Sequence, residues 1–148
     1  MRILVNCSTI NVGGGFFATV NFISEALTSS RGSKFEWYFI LNAHLIDALQ
    51  SRKIVMAPDQ YLLIESSPTR FFSYYRISRS ILDYEKNVKP DIVYSIGSPS
   101  YLFFSAPEVQ RLTNPWITHP NLWAYLSLPL ARLISEIFKL PFQRFFVS

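Results

Sequence analysis

The chain has 148 residues, of which 49% are hydrophobic and 16% charged, as expected of one ordinary globular domain with a substantial buried core. The net charge is +4, from 14 basic and 10 acidic side chains. This excess of positive charge is mild and contains no long Lys/Arg run, so composition argues against a nucleic-acid partner.

Cysteine content and hydropathy exclude several classes of protein. Cys7 is the single cysteine, so no internal disulfide forms, and no second thiol near a histidine suggests a zinc site. We expect neither a metal nor another cofactor. No segment approaches the roughly 20 uninterrupted apolar residues that span a bilayer, and the first apolar run is too short for a signal peptide. The prediction is a cytoplasmic protein that is not integral to a membrane.

Apolar residues divide the chain into alternating strands and helices. Continuous apolar runs at residues 3–5, 35–41, 61–64 and 92–96 are typical of strands buried on both faces of a parallel sheet. Between these runs, apolar residues recur at helical spacing. They are Phe16, Val20, Ile23 and Leu27, then Leu45, Ile46 and Leu49, then Ile77, Ile81 and Tyr84. The alternation predicts an α/β fold with a Rossmann-like, doubly wound parallel sheet.

Three consecutive glycines, Gly13, Gly14 and Gly15, lie between the first predicted strand and the first predicted helix. Residues without side chains let a ligand approach the backbone, and the free N–H groups at the start of a helix favour a phosphate. The other interpretation is a tight turn that requires positive φ angles. Phosphate binding is the interpretation that the strand-loop-helix setting favours.

The spacing of Gly13, Gly15 and Ala18 also fits the dinucleotide-binding pattern G-x-G-x-x-A. An NAD site requires an acidic residue at the end of the second strand, where it binds the ribose hydroxyls. Here Leu41 is followed by Asn42, which weakens this interpretation. An NAD(P)-binding oxidoreductase domain is therefore the alternative function, and a non-catalytic Rossmann-like binding module is a third hypothesis.

Beyond Gly97 the chain is rich in proline and contains a tryptophan on either side of His119, which is typical of loops that face a ligand. Ser98, Ser100 and Tyr101 follow the fourth predicted strand, and open α/β sheets bind ligands at the carboxyl ends of their strands. These three residues are candidates for a ligand site. An ordinary turn is the other interpretation.

Several segments, in this order and spacing, resemble the N-terminal domains of family 4 glycosyltransferases, which have the two-domain GT-B architecture. They are residues 1–8 with the Gly13-Gly14-Gly15 loop, Lys89-Pro90-Asp91-Ile92-Val93-Tyr94, residues 97–101, and Pro115-Trp116 with Pro120. The resemblance covers nearly the whole chain. It implies that residues 1–148 are the acceptor-side domain, truncated before the C-terminal domain that holds the nucleotide-sugar.

The resemblance also assigns roles to residues. Gly13, Gly14 and Gly15 would contact the donor diphosphate across the interdomain cleft. Ser98, Ser100 and Tyr101 would lie on the acceptor side, and His119 would lie against the sugar or acceptor as a catalytic candidate, with a structural role as its alternative. The implied reaction transfers a hexosyl group from a UDP-, GDP- or ADP-sugar to an acceptor hydroxyl with retention, in glycan or polysaccharide biosynthesis. Without the donor-binding domain, or a partner chain in its place, this chain is expected to be inactive.

Basic and aromatic residues occur together on the third predicted helix, where Arg76, Arg79 and Lys86 share one stripe next to Phe71 and Phe72. This combination suits a membrane interface, and a lipid-linked acceptor would place the protein at the inner face of the membrane. A solvated polar face opposite a packed apolar face is the alternative, which we favour.

Overall fold

The computed structural model describes residues 1–11, 13–68 and 73–111. In this part of the chain, five strands form one all-parallel sheet flanked by helices, an α/β architecture consistent with a Rossmann-like fold. His119 and the aromatic residues around it lie outside the described residues, as do Phe71 and Phe72.

Strands and helices alternate along the chain as the apolar pattern predicts. The elements are β1 (Arg2–Asn6), α1 (Gly14–Thr28), β2 (Glu36–Asn42), α2 (Ala43–Ser51), β3 (Tyr61–Ile64), α3 (Tyr74–Val88), β4 (Ile92–Ile96) and β5 (Glu108–Arg111). The four predicted strands and three predicted helices are confirmed. The strand β5 was not predicted, because its sequence, Glu-Val-Gln-Arg, contains only one apolar residue.

The strand order is β3-β2-β1-β4-β5, with β1 in the centre. In the register of the sheet, Val5 lies between Phe39 of β2 and Tyr94 of β4. The chain therefore builds one half of the sheet from β1 outwards to β3 and then crosses back to form the other half. Such a reversal leaves a crevice at the carboxyl ends of the two central strands, which is where open α/β sheets bind ligands.

Helices cover both faces of the sheet, which confirms the doubly wound prediction. On one face, Val20 and Ile23 of α1 and Leu45 of α2 pack against Val5 and Phe39. On the other face, Ile77 and Ile81 of α3 pack against Leu4, Ile40 and Val93. Because neighbouring residues of β1 point to opposite faces, the one short strand contributes to both cores. None of the helices in the described ranges has the length and apolar character needed to cross a membrane.

Candidate functional site

The crevice at the carboxyl edge is formed by two loops. The first runs from β1 into the first turn of α1, with residues 7–11 and 13–15 described, and is called the glycine loop; the second, residues 97–101, follows β4 and is called the β4 loop. The glycine loop is longer than the tight turn that the dinucleotide fingerprint places directly after the first strand. The structure thus brings the glycines together with Ser98, Ser100 and Tyr101 at the switch point of the sheet.

The glycines differ in what the backbone demands of them. Gly13 has a φ of 84°, a left-handed conformation that favours glycine, whereas Gly14 and Gly15 belong to α1. A Cβ on Gly14 would have no described atom within 4 Å, and one on Gly15 would meet only Ile10 Cδ1, at an ordinary 3.8 Å. The tight-turn interpretation therefore explains Gly13 and does not explain its two neighbours.

The start of α1 is open to solvent. Gly13, Gly14 and Gly15 are exposed, and no side-chain cap bonds the helix at Gly13. The Phe16 N–H donates to the Gly13 carbonyl at 3.0 Å. The first N–H groups of a helix have no intrahelical partner, so this end offers main-chain donors with a partial positive charge to an incoming anion.

Two buried asparagines fix the glycine loop. The side-chain carbonyl of Asn6, the last residue of β1, accepts from the Ser8 N–H at 3.1 Å. The Nδ2 of Asn42, the last residue of β2, donates to the Ile10 carbonyl at 2.6 Å. Within the loop, the Ile10 N–H donates to the Cys7 carbonyl at 3.1 Å. The loop is therefore held in its conformation by the ends of two adjacent strands before any ligand arrives.

The glycine loop and the β4 loop interlock at Gly97. The Thr9 hydroxyl donates to the Gly97 carbonyl at 2.5 Å, and Gly97 has a φ of 84°. A Cβ on Gly97 would lie 2.5 Å from Ile10 Cδ1 and 2.9 Å from Thr9 Oγ1, too close for either contact. The absence of a side chain at Gly97 thus lets the two loops pack together as one unit.

The predicted acceptor residues occupy different environments in the β4 loop. Ser98 Oγ donates to the Arg111 carbonyl at 3.0 Å, which ties the loop to the end of β5. Ser100 is buried, with 1% of its surface exposed, and its hydroxyl donates to the Leu102 carbonyl at 3.3 Å. Ser100 therefore lies beneath the surface of the crevice, while Ser98 and Tyr101 are partly exposed.

Tyr101 adopts an unusual backbone conformation for a bulky residue, with a φ of 59°. Its carbonyl accepts the Tyr74 hydroxyl at 3.1 Å, so the start of α3 supports the strained peptide. Conformations of this kind cluster at functional sites because the surrounding structure must stabilise them. Tyr101 is consequently the most distinctive residue among the three acceptor candidates.

A chain of polar side chains crosses three strands beneath the loops. Asn6 Nδ2 donates to Ser95 Oγ at 3.1 Å, Ser95 Oγ donates to Glu108 Oε1 at 2.5 Å, and Gln110 Nε2 donates to Glu108 Oε2 at 3.0 Å. Asn6 links this chain to the glycine loop. These residues were not predicted as site residues; the available signal was a polar residue in the second half of each of two largely apolar strands, Asn6 in β1 and Ser95 in β4.

Asn42 bears directly on the dinucleotide alternative. It occupies the end of β2, where an NAD-binding domain places its acidic residue. Its Oδ1 accepts from the Leu45 N–H at 3.0 Å, which caps α2, and its Nδ2 donates to Ile10. Asp47, the first acidic residue after β2, lies on the exposed side of α2. With both polar atoms of Asn42 already bonded, the ribose contact of an NAD site has no counterpart at this position.

Two other residues, Cys7 and His44, have side chains of a type that can be reactive. Cys7 is completely buried in the core beneath α1, and this burial raises the pKa of its thiol well above the ordinary range, as expected of a core thiol rather than a nucleophile. His44 is exposed in the first turn of α2. Within residues 1–11, 13–68 and 73–111, no cluster of three His, Cys, Asp or Glu side chains suits a metal ion.

The basic stripe of α3 forms ion pairs at the surface. Arg76 lies 3.0 Å from Glu65, while Arg79 and Lys86 lie 3.8 Å and 3.6 Å from Asp83. All of these side chains are more than half exposed. Carboxylates offset the positive charge of this face, which favours the solvated interpretation over contact with an anionic membrane.

No protein-family model, curated protein or solved structure matches this chain at a significant level.

Proposed function

We propose that this chain is the acceptor-side domain of a glycosyltransferase and that its glycine loop binds the diphosphate of a nucleotide-sugar. The observation that carries the proposal is at Gly14 and Gly15, where neither backbone conformation nor crowding by described atoms requires a glycine. Because these two glycines have no side chains, the exposed start of the helix leaves room for a ligand to approach the backbone. A phosphate group is the ligand that this position favours.

The proposed chemistry is transfer of a hexosyl group to an acceptor hydroxyl with retention of configuration. Breaking the bond between the sugar and the diphosphate leaves negative charge on the phosphate oxygens. Asn6 and Asn42 hold the loop that precedes α1, so the main-chain N–H groups at the start of the helix would stabilise this charge with little reorganisation. Ser98 and Tyr101 of the β4 loop, on the other side of the interlock at Gly97, would position the acceptor, and His119 stays a catalytic candidate.

In a GT-B enzyme, a second Rossmann-like domain binds the nucleoside and sugar. The proposal therefore assigns to this chain one wall of a cleft, with the other wall on the same longer protein or on a partner chain. A half-site of this kind binds a donor weakly, and transfer activity requires both walls.

The binding part of the proposal is tested by NMR titration of the 15N-labelled chain with pyrophosphate, UDP and NAD+. We expect pyrophosphate and UDP to shift the amide resonances of residues 13–16 with affinities of roughly millimolar Kd, about −4 kcal/mol. NAD+ is expected to bind no more tightly than UDP. Micromolar binding of NAD+, or no response of residues 13–16 to either phosphate ligand, would overturn the proposal.

The variant Gly14→Ala separates folding from binding. Alanine is compatible with the helical conformation of residue 14, so we expect the free energy of unfolding to be unchanged or to rise by about 0.4–1 kcal/mol. Binding of pyrophosphate should weaken at least threefold, because the added methyl group occupies the open approach to the backbone. Ser80→Ala, an exposed substitution on α3, is the matched control and should leave binding unchanged.

A further inference from the structure

Strand β3 forms one edge of the described sheet, and its sequence lacks the usual protection of an edge. Its residues are Tyr-Leu-Leu-Ile, with no charged residue and no proline among them. Strand β5, at the other end of the described sheet, has the sequence Glu-Val-Gln-Arg. Proteins commonly protect an exposed edge with charged residues or proline, because the unpaired main-chain groups there accept a further strand. Of these two strands, only β5 carries such charges.

The ladder between β1 and β2 determines which main-chain groups of β2 are available to β3. The Ile40 carbonyl accepts from the Cys7 N–H at 3.1 Å, so the main-chain groups of Ile40 face β1. Successive residues of a strand direct their N–H and C=O groups to opposite neighbours. Phe39 and Leu41 therefore direct theirs to β3.

The register between β2 and β3 then shows which groups of β3 are free. Phe39 lies opposite Tyr61, and Leu41 lies opposite Leu63. In a parallel ladder a residue bonds to the two neighbours of the residue opposite it, so residues 60, 62 and 64 bond to β2. The N–H and C=O groups of Tyr61 and Leu63 point away from the sheet, and no residue in the described part of the chain bonds to them.

Apolar side chains lie next to these free groups. Tyr61 packs with Ile54 and Met56 on the face of the sheet that α2 covers. Leu63, two residues further along the strand, points to the same face and is 52% exposed. Val55, in the segment between α2 and β3, is 90% exposed, and it lines a small, mostly apolar groove of about 80 Å³ beside Tyr61. The edge of β3 thus combines unpaired main-chain groups with an exposed apolar surface.

We propose that two copies of this chain associate through β3, with the two strands paired antiparallel about a twofold axis. Such an interface is formed by the same patch on both copies, so the patch must complement itself. Tyr61 of one copy opposite Leu63 of the other satisfies the outward main-chain groups of both residues in both copies. On the α2 face, each Leu63 side chain then packs beside Tyr61 of the other copy and next to its groove.

Charges beside the strand are compatible with a surface that meets its own copy. On the α3 side, a groove next to Leu62 is lined by Arg76, Arg79 and Asp83, and Arg76 lies 3.0 Å from Glu65. These four charged side chains are two arginines and two carboxylates. A surface of one sign would repel its own copy, whereas a mixed surface offers each charge an opposite partner. Charge therefore favours a second copy over a strongly acidic or basic peptide.

Sedimentation equilibrium of the 148-residue chain tests the association. Because β3 is short, we expect a small interface and a weak dimer, with a dissociation constant roughly in the micromolar range. Hydrogen exchange locates it: the amides of Tyr61 and Leu63 should exchange more slowly at high protein concentration. The amides of Leu62 and Ile64 bond to β2 within each copy, so their exchange should change little. None of these residues belongs to the glycosyltransferase proposal.

Two substitutions at Leu63 test the role of the edge. Leu63→Lys introduces a charge into the pairing and should weaken dimerisation roughly tenfold or more. Leu63→Pro removes an N–H group that the sheet of the monomer does not use, so this variant should fold and stay monomeric. Val109→Lys is the matched control, because Val109 is 50% exposed on β5, and it should leave dimerisation unchanged.

The variant Leu62→Cys tests the antiparallel register. In the proposed pairing Leu62 lies opposite its own counterpart, where Cα atoms about 4.5 Å apart are within the range that a disulfide bridges. Mild oxidation should therefore link two copies of Leu62→Cys. It should link Leu63→Cys less, because each residue 63 lies opposite residue 61. Cys7 is completely buried and should not react.

Three results would each overturn the proposal. The first is a chain that stays monomeric at about 400 μM, which would leave the edge of β3 to a strand of another protein. The second is a dimer that persists unchanged in the folded Leu63→Lys or Leu63→Pro variant. The third is an equal loss of dimer in Val109→Lys.

Discussion

Gly97 is the residue at which backbone conformation and packing impose the same requirement. Its φ of 84° disfavours any side chain, and the space beside it is already filled by Ile10 and Thr9. Ile10 is central to this arrangement. Its Cδ1 lies within 4 Å of the position that a Cβ would take on Gly15 or on Gly97, and its carbonyl accepts from Asn42 Nδ2. One isoleucine thus sets the distance between the glycine loop and the β4 loop.

The variant Gly97→Ala should lower the free energy of unfolding by about 2–4 kcal/mol, because it adds overpacking to a left-handed strain. Combining it with Ile10→Val removes the atom of closest contact, so the double variant should be less destabilised than the sum of the two single variants. Urea unfolding of the four proteins measures this coupling. Additive losses would show that the clash between these two residues is relieved by movement elsewhere.

Among the elements, β5 depends on a contact from α3, the helix that covers one face of the sheet. Glu85 of α3 is 2% exposed, and its Oε1 accepts from the N–H groups of Ser105 at 2.6 Å and Ala106 at 2.9 Å. These residues lead into β5, and the Pro107 carbonyl accepts from the Val93 N–H of β4 at 2.9 Å. A helix side chain therefore determines where a strand with little apolar sequence joins the sheet.

Removal of this carboxylate should release the entry to β5. Glu85→Ala leaves two partly buried N–H groups without their charged acceptor, and we expect it to lower the free energy of unfolding by about 2 kcal/mol. Glu85→Gln keeps one carbonyl acceptor of the same size and should cost less. Hydrogen exchange at the amides of residues 105 and 106 is the specific readout. Unchanged protection of both amides in Glu85→Ala would contradict this account.

At the scale of the whole molecule, the buried thiol makes stability depend on pH. Burial raises the pKa of Cys7 in the folded chain, whereas an unfolded thiol ionises near about pH 8.5. Its contribution is therefore fully present below that pH and is lost as the pH rises, because the unfolded state then releases a proton that the folded state retains. The Tyr84 hydroxyl, whose pKa is also raised, acts in the same direction above about pH 10.

We expect the free energy of unfolding to fall above about pH 9 with a slope approaching 1.4 kcal/mol per pH unit from Cys7. Urea unfolding between about pH 7 and pH 10.5 measures the slope, and Cys7→Ala should be clearly flatter below about pH 10. Identical slopes in the two proteins would show that the thiol does not contribute. The native thiol should also resist a disulfide reagent that modifies it fully after denaturation.

Much of the fold was predictable from residue order alone. Continuous apolar runs such as Ile92–Ile96 predict buried parallel strands, since a strand covered on both faces cannot alternate with polar residues. Helical spacing of Ile77 and Ile81 likewise predicts α3. The glycine loop and the β4 loop were assigned to the carboxyl edge, because all parallel strands end at the same side of the sheet.

Only the tertiary structure decided which residues complete the sites. Strand β5 is stabilised by Glu85 and by pairing with β4, which are contacts between distant residues that local sequence does not encode. The loop-fixing roles of Asn6 and Asn42 likewise arise where separate segments meet. Sequence determined the elements and their order because burial is periodic along the chain. Contact geometry is not periodic. Only the tertiary structure therefore shows that packing requires glycine at residue 97 and does not require it at residue 14.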